Sequence, residues 1–331
     1  MKIAWLLSDG LPGHVNQARA LAQLLGLTIV EVPLRLRHKV WRPLLKVWIR
    51  CSSKKACWLS LAYQFKLPED MPDILLSAGG NTSFANVLLA RQLSKPNLFI
   101  GSLRRLPAKD FTAVFTLEPI GADNNIVMKV PLSPLLPSEL ACEGRQLRES
   151  LGFVDVPLWA MIIGGDGAGF RYTRSDWLAI AEGMEQLSQR YGCRWLVTTS
   201  RRSGSEAEAV LQATIPEEIL ADAVWYGQAP RAVMKAYLGA ADRVFVTADS
   251  MSMLADAIST GRKVYGLSPE KRTSDLRFES ALASFEANRL LTRIAINEMS
   301  SCEYHVGLSL TGDYWRWQNE MRASANKLVN W

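Results

Sequence analysis

Cysteine is scarce in this chain. Cys51, Cys57, Cys142, Cys193 and Cys302 are odd in number, widely scattered and without a CxxC pair. That pattern excludes a disulfide framework and a cysteine zinc site, and it fits a reducing cytoplasm. Histidine is rarer still, with three in 331 residues. No DxD pair occurs, so no metal held by such a pair is expected. No apolar run approaches the length of a membrane span, and "IAWLL" near the N-terminus is too short for a signal-peptide core. The expectation is therefore a soluble or peripheral protein. Low-complexity tracts are also missing, which excludes extended disorder. Between Glu31 and Glu69 there is no acidic residue at all, while Arg35, Arg37, Lys39, Arg42, Lys46, Arg50, Lys54, Lys55 and Lys66 fall inside that interval. The net charge of +6 is thus local, since acids outnumber bases elsewhere.

What is present is apolar and regular. With 48% hydrophobic residues, the chain has material for two cores. "IAWLL", "TIVEV", "DILLS", "NLFIG", "AVFTL" and "IVMKV" alternate with helical patterns such as Ser83 to Leu93, the βα rhythm of a parallel sheet. The rhythm resumes after a Pro-rich and polar stretch in "WAMII", "WLVTT", "AVWYG", "RVFVT" and "KVYGL". Two open α/β domains are expected, residues 1–135 and 155–300, with a boundary near 131–156. A helical segment, 301–331, follows, and its tryptophans suit packing across one or both domains.

Ligands of such sheets bind beyond the carboxyl ends of the strands, where helix N-termini also point. Four junctions there carry unusual residues. In "SDGLPGHVNQARALAQLLG", Gly10 and Gly13 make the turn and His14 opens the helix, a place that suits a neutral base; alternatively the glycines only serve the turn and His14 packs. "MIIGGDGAGFRYT" sets Gly164 and Gly165 after a strand, with exposed amides that suit phosphate or a sugar ring, although it is neither a P-loop nor a dinucleotide fingerprint. "LVTTSRRSG" places Ser200, Arg201 and Arg202 at a strand end, where hydroxyls and arginines suit a diphosphate or form an ordinary solvated loop. In "DRVFVTADSMSMLADAISTGRKVYGL", Ser250 and Ser252 are expected to cap a helix and receive phosphate, and Asp256 to hold ribose hydroxyls.

The basic interval, residues 35–66, reads as a helix from about Val40 to Phe65, interrupted near "CSSKK". Trp41, Leu44, Leu45 and Trp48 lie on one side, and Arg42, Lys46, Arg50 and Lys54 on another. That is the make-up of an interfacial helix seeking anionic lipid, against the alternative of a helix packed on the sheet with solvated charges. Nucleic acid is not expected as a partner, because the charge is confined to one segment rich in buried-type residues.

"DGLPGHVNQARALAQLLG", "TTSRRSG", "VTADSMSMLADAISTGRKVY" and "RFESALASFEANRL" together resemble segments of the ELM family, the plant mitochondrial-fission factor and its bacterial relatives, over nearly the full chain. That family is in turn similar to GT-B glycosyltransferases, notably the N-acetylglucosaminyltransferase that makes lipid II. The resemblance implies two Rossmann-like domains facing across a cleft, with the acceptor on the N-terminal domain and the nucleotide sugar on the C-terminal one. It matches Gly10, Gly13 and His14 to that enzyme's first glycine turn, "GGDGAG" to its second, and Asp256 to its ribose-binding glutamate.

The resulting expectation is a metal-independent glycosyltransferase, peripheral on the cytoplasmic membrane face, that uses a nucleotide sugar on a lipopolysaccharide or other lipid-linked envelope glycan and needs no cofactor. His14 is the expected base and Asp9 orients it or touches the acceptor. Gly13, Gly164, Gly165, Ser200, Arg201, Arg202, Ser250 and Ser252 form the expected donor site, with Asp256 on the ribose and Tyr226 beside the base. A non-catalytic membrane adaptor and a sugar-nucleotide epimerase or hydrolase are the alternatives.

Overall fold

The central apolar runs become strands buried on both faces, as parallel strands covered by helices must be, while those at the sheet edges, such as "TIVEV", stay partly exposed. A computed structural model describes residues 2–51, 59–103, 106–273, 276–301, 303 and 311–331. The chain divides into two units, Met1–Pro134 with Trp315–Trp331, and Leu135–Tyr314.

The first unit runs β1 (Ile3–Ser8), α1 (Pro12–Leu24), β2 (Thr28–Pro33), β3 (Arg35–Leu36), α2 (Trp41–Cys51), α3 (Leu59–Ala62), β4 (Tyr63–Gln64), β5 (Ile74–Ala78), α4 (Ser83–Leu93), β6 (Asn97–Ile100), β7 (Ala113–Thr116) and β8 (Asn125–Val127). Six of the strands form one all-parallel sheet in the order β2-β1-β5-β6-β7-β8. After β2 the chain returns to the other side of β1, so the topological switch lies between β1 and β5. Ligand crevices open at that place in such sheets.

The second unit runs α5 (Pro137–Leu151), β9 (Leu158–Ile162), α6 (Arg174–Tyr191), β10 (Arg194–Thr198), α7 (Gly204–Thr214), β11 (Leu220–Val224), α8 (Met234–Ala240), β12 (Arg243–Thr247), α9 (Met251–Ser259), β13 (Lys263–Ser268), α10 (Leu276–Ala287) and β14 (Thr292–Ala295). Its parallel sheet has the order β11-β10-β9-β12-β13-β14, with the switch between β9 and β12. Helix α6 starts on a reciprocal cap, in which Thr173 Oγ1 accepts from the Asp176 amide and the Asp176 carboxylate accepts from the Thr173 amide. It stops at Gly192, whose φ of 64° an ordinary side chain would resist.

The last helix, α11 (Thr311–Val329), buries Trp317, Met321, Ala325 and Val329 at every fourth position, so its apolar stripe is packed. Lys2 Nζ lies 3.9 Å from the ring centre of the terminal Trp331.

Three local expectations are corrected. The boundary stretch 131–156, in which no element was expected, contains α5, whose Gly144 meets the backbone of Gly239 on α8. Polar residues hid this helix, because only its Leu140 and Gly144 are buried. The helix expected over 40–65 with a break near "CSSKK" is present as α2 and the short α3, but it stops at Ala62, and Tyr63–Gln64 instead pairs antiparallel with Arg35–Leu36. The aromatic pair Tyr63 and Phe65, with Gln64 pointing out, suits a strand as well as a helix end. Lys54, Lys55, Cys57 and Cys302 lie outside the described residues. Finally, Leu44 is not on the packed face of α2, where Leu45 and Ile49 are buried and Trp41 and Trp48 half-buried.

Candidate functional site

Each sheet gathers its unusual residues at its own switch. In the first unit, β1 ends in Ser8, and Asp9 begins the turn that Pro12 converts into α1; proline suits the first helical position, where no amide partner is needed. His14 follows in the first helical turn, so its ring comes back to Asp9. Nδ1 lies 2.9 and 3.1 Å from the two carboxylate oxygens. A carboxylate can only accept, so Nδ1 carries a proton, and in the neutral form of the ring the lone pair is on Nε2. The Asp9 side chain is 6% exposed and that of His14 37%. Asp9 Oδ1 also accepts from the Leu11 amide at 3.2 Å, which ties the carboxylate to the turn.

The floor beneath the ring comes from β5. Gly79, with φ of 83°, sits so close under His14 that a Cβ there would collide with the imidazole. Two residues on, Asn81 accepts from Arg42 Nη2 at 2.6 Å through its side chain and from the Tyr63 hydroxyl at 2.5 Å through its carbonyl. Burial pushes the Tyr63 phenol upward, so it stays a donor. Arg42, expected to face lipid, is therefore drawn to this loop. A Cβ at Gly10 or Gly13 would meet nothing within 4 Å, so neither is required by a close neighbour.

In the second unit, the turn after β9 lies beside the ends of β10 and β12. The Gly164 amide donates to Thr247 Oγ1 at 2.7 Å, so it is not open to phosphate as expected. Gly165 forms a bridge with Arg202, and the Ser200 hydroxyl donates to the Gly164 carbonyl. The Arg202 guanidinium reaches Asp249, with Nη2 2.6 Å from Oδ2. Its N–H does not aim at that oxygen, which is buried without an aligned hydrogen bond. Burial, opposed by the Thr247 hydroxyl and the Arg202 charge, pushes Asp249 up to about 6. Tyr172 donates to Asp249 Oδ1 at 3.4 Å; burial, reinforced by this carboxylate, pushes its phenol well up. Asp249 and Tyr172 were not anticipated. The signal for Asp249 was its place two residues beyond a strand end.

Ser250 occupies the N-cap position of α9 but makes no side-chain cap bond; its Oγ lies 3.3 Å from Ser252 Oγ. The first amides of α9 thus lack a side-chain cap, which leaves them to solvent or an anion. Arg201 is exposed, and Asp256 is half-buried further along α9. Tyr226, expected at a strand end, lies in the loop after β11 and is 43% exposed. That loop is held by Glu208, a buried carboxylate which the sequence reading missed, through Thr199 and Gly227. Among the described residues no group of three His, Cys, Asp or Glu is placed to hold a metal.

No curated protein matches the chain. Among solved structures it is similar to the UDP-GlcNAc 2-epimerase of Methanocaldococcus jannaschii, at 12% identity and TM-score 0.54 over 98% of this chain and 99% of that one. It is also similar to S. aureus MnaA solved with UDP, at 13% identity and TM-score 0.50 over 100% and 95%. A glycosyl transferase family 9 protein of Veillonella parvula matches at 11% identity and TM-score 0.50 over 99% and 97%. At such identities the likeness is one of fold, the GT-B type with two Rossmann-like units. The sequence matches the family described as mitochondrial fission ELM1 over residues 12–313, and the chain belongs to that family.

Proposed function

We propose that this protein is a metal-independent glycosyltransferase that moves a sugar from a nucleotide donor to a lipid-linked envelope glycan. The observation that carries the reading is the Asp9–His14 pair, a partly exposed histidine whose buried carboxylate partner engages Nδ1 and leaves Nε2 for a substrate proton. In transfer, Nε2 takes the proton of the acceptor hydroxyl as its oxygen bonds the anomeric carbon. The bond from that carbon to the diphosphate breaks, and its electron pair leaves on the phosphate oxygen. Arg202, Ser250, Ser252 and the first amides of α9 receive the charge so formed, the exposed Arg201 adding a second cation. Asp256 holds the ribose and Tyr226 borders the base. Gly164 and Gly165 shape the site rather than donate to the ligand.

The basic interval supplies the membrane partner, an anionic cytoplasmic leaflet met by α2. Leu44 and Val47 are exposed on it beside Arg50, with Val40 and Lys39 exposed in the turn just before it, and no helix among the described residues is long and apolar enough to cross a membrane.

Two tests decide the reading. Nucleotide sugars are screened by thermal shift, since a ligand of the native state raises its apparent stability. Donors that bind are then incubated with lipid-linked acceptors, using wild type and His14→Ala. Transfer lost in the variant with donor binding intact supports the assignment, and equal turnover by both sinks it. Membership of a mitochondrial-fission family favours a second reading, a non-catalytic membrane adaptor. Binding to anionic vesicles with no nucleotide sugar bound would establish it. Conversion of a donor without acceptor would instead mean an epimerase or hydrolase.

A further inference from the structure

The glycines of the Gly164–Gly167 turn make room for an ion pair. A Cβ at Gly164 would collide with the Asp249 carboxylate, and one at Gly167 with the Arg202 guanidinium. The Asp249 side chain has no exposed surface, whereas that of Arg202 is 36% exposed. Among the described residues, the charged or titratable groups that reach Asp249 are Arg202, ahead of α7, and Tyr172, ahead of α6; β12 adds only the Thr247 hydroxyl. The next residues of the chain are Ser250 and the uncapped start of α9. A buried carboxylate, ion-paired to Arg202 at 2.6 Å though without an aligned hydrogen bond at Oδ2, therefore stands beside that guanidinium and two residues ahead of α9, the two features that would draw an anion.

We infer that Asp249 is a specificity-determining residue of this anion site: clasped by Arg202 at the start of α9, it offsets the guanidinium's charge and disfavours the more highly charged anion. This rests on the nucleotide-sugar reading and names the charge class that the site selects. Repulsion from a fixed carboxylate grows in proportion to the charge of the arriving anion, and a buried charge escapes most salt screening. A nucleotide sugar carries one negative charge on each phosphate. The nucleoside diphosphate released by transfer has a terminal phosphate with up to two. The same carboxylate therefore weakens product more than donor and favours product release. Because burial holds Asp249 near pH 6 for half-ionisation, the repulsion fades in acid.

The purified full chain is titrated calorimetrically with inorganic pyrophosphate and with sulfate, whose charge is constant across the range, as wild type, Asp249→Asn and Arg202→Gln. At pH 7.5 Asp249→Asn is expected to bind pyrophosphate about tenfold tighter, with a smaller gain for sulfate. Sulfate affinity of the wild type is expected to rise as pH falls from about 7.5 to 5, more steeply than in Asp249→Asn. Pyrophosphate binding that Arg202→Gln abolishes but Asp249→Asn leaves unchanged or weaker overturns the counter-ion role alone. Absence of saturable binding of either anion by wild type and by Asp249→Asn overturns the diphosphate site and this inference together. Should Asp249→Asn fail to fold, the wild-type profile decides, and a sulfate affinity that is flat with pH overturns the inference.

Discussion

Glu208 on α7 and Gly227 beyond β11 are joined by hydrogen bonds of 3.0 and 3.2 Å from the Gly227 amide to the two carboxylate oxygens. The same carboxylate accepts from the Thr199 hydroxyl at 2.6 Å, and Thr199 Oγ1 in turn accepts from the Tyr226 amide at 2.8 Å. One buried acid thus fixes the loop that presents Tyr226. Glu208→Ala would leave the buried Thr199 hydroxyl without its close acceptor, at about 1–3 kcal/mol, and release the amide of the exposed Gly227 to solvent. A midpoint fall of a few degrees is expected by calorimetry. Glu208→Gln keeps an acceptor and should lose less. Equal midpoints for Ala and wild type would remove this acid from the loop's support.

Gly79→Ala should damage the first site without touching a charged group. The new methyl would meet the His14 ring, and a φ of 83° is unfavourable for alanine. About 1–3 kcal/mol of stability is expected to go, and with it the Asp9–His14 geometry. His14→Ala, by contrast, removes a half-exposed side chain and should shift the melting midpoint by no more than a degree or two. The comparison is read from melting curves and from the ring resonances of His14, which should move in Gly79→Ala. Unperturbed resonances there would place the ring elsewhere.

Asp249 gives stability a pH dependence of unusual sign. Its folded value of about 6 lies above the unfolded 3.8, so in that window the native state holds a proton the unfolded chain has released. Stability therefore falls as pH rises from about 4 to 6; the cost is absent below the unfolded value and complete above the folded one. At about 1.4 kcal/mol per unit, the cost above pH 6 is roughly 2–3 kcal/mol as an upper bound. Asp249→Asn should then equal the wild type near pH 4 and gain on it progressively to pH 7. Melting curves of both proteins across that range check the sign, and a variant that loses ground as pH rises would reverse it.

Sequence reasoning reached what periodicity and junction chemistry control. β12 begins and ends at Arg243 and Thr247 as expected, α4 spans Ser83–Leu93, and His14 opens α1 beside Asp9. Those features depend on local runs and on glycine or proline at a turn. It failed where a partner distant in sequence decides. Gly164 was read as a phosphate donor because its amide follows a strand, but that amide is taken by Thr247, 83 positions away. Asp249 and Glu208 look like surface acids in the sequence, since nothing local says that Arg202 or Gly227 will close over them. β14 was missed because "TRIA" is short and only half-buried.

The α2 helix tests the membrane reading, because its two apolar sides are now distinguishable. Leu45 and Ile49 face the core, while Leu44 and Val47, three apart on the helix, are exposed, as is Val40 just ahead of it. Leu44→Ser with Val47→Ser should weaken binding to anionic vesicles, since about 1.5–3 kcal/mol accompanies burial of each such side chain. The melting midpoint should hardly move. Lys46→Gln with Arg50→Gln should weaken the same binding by about 1 kcal/mol per charge, and only for vesicles containing anionic lipid. Arg42→Gln should do the reverse, lowering stability through the lost Asn81 contact and leaving vesicle binding nearly intact, because that guanidinium is already engaged. Sedimentation with vesicles of neutral and of one-third anionic lipid, roughly, separates the apolar from the electrostatic part. If Leu44 and Val47 can be replaced without loss while Arg42 cannot, the lipid-facing side has been assigned to the wrong half of the helix.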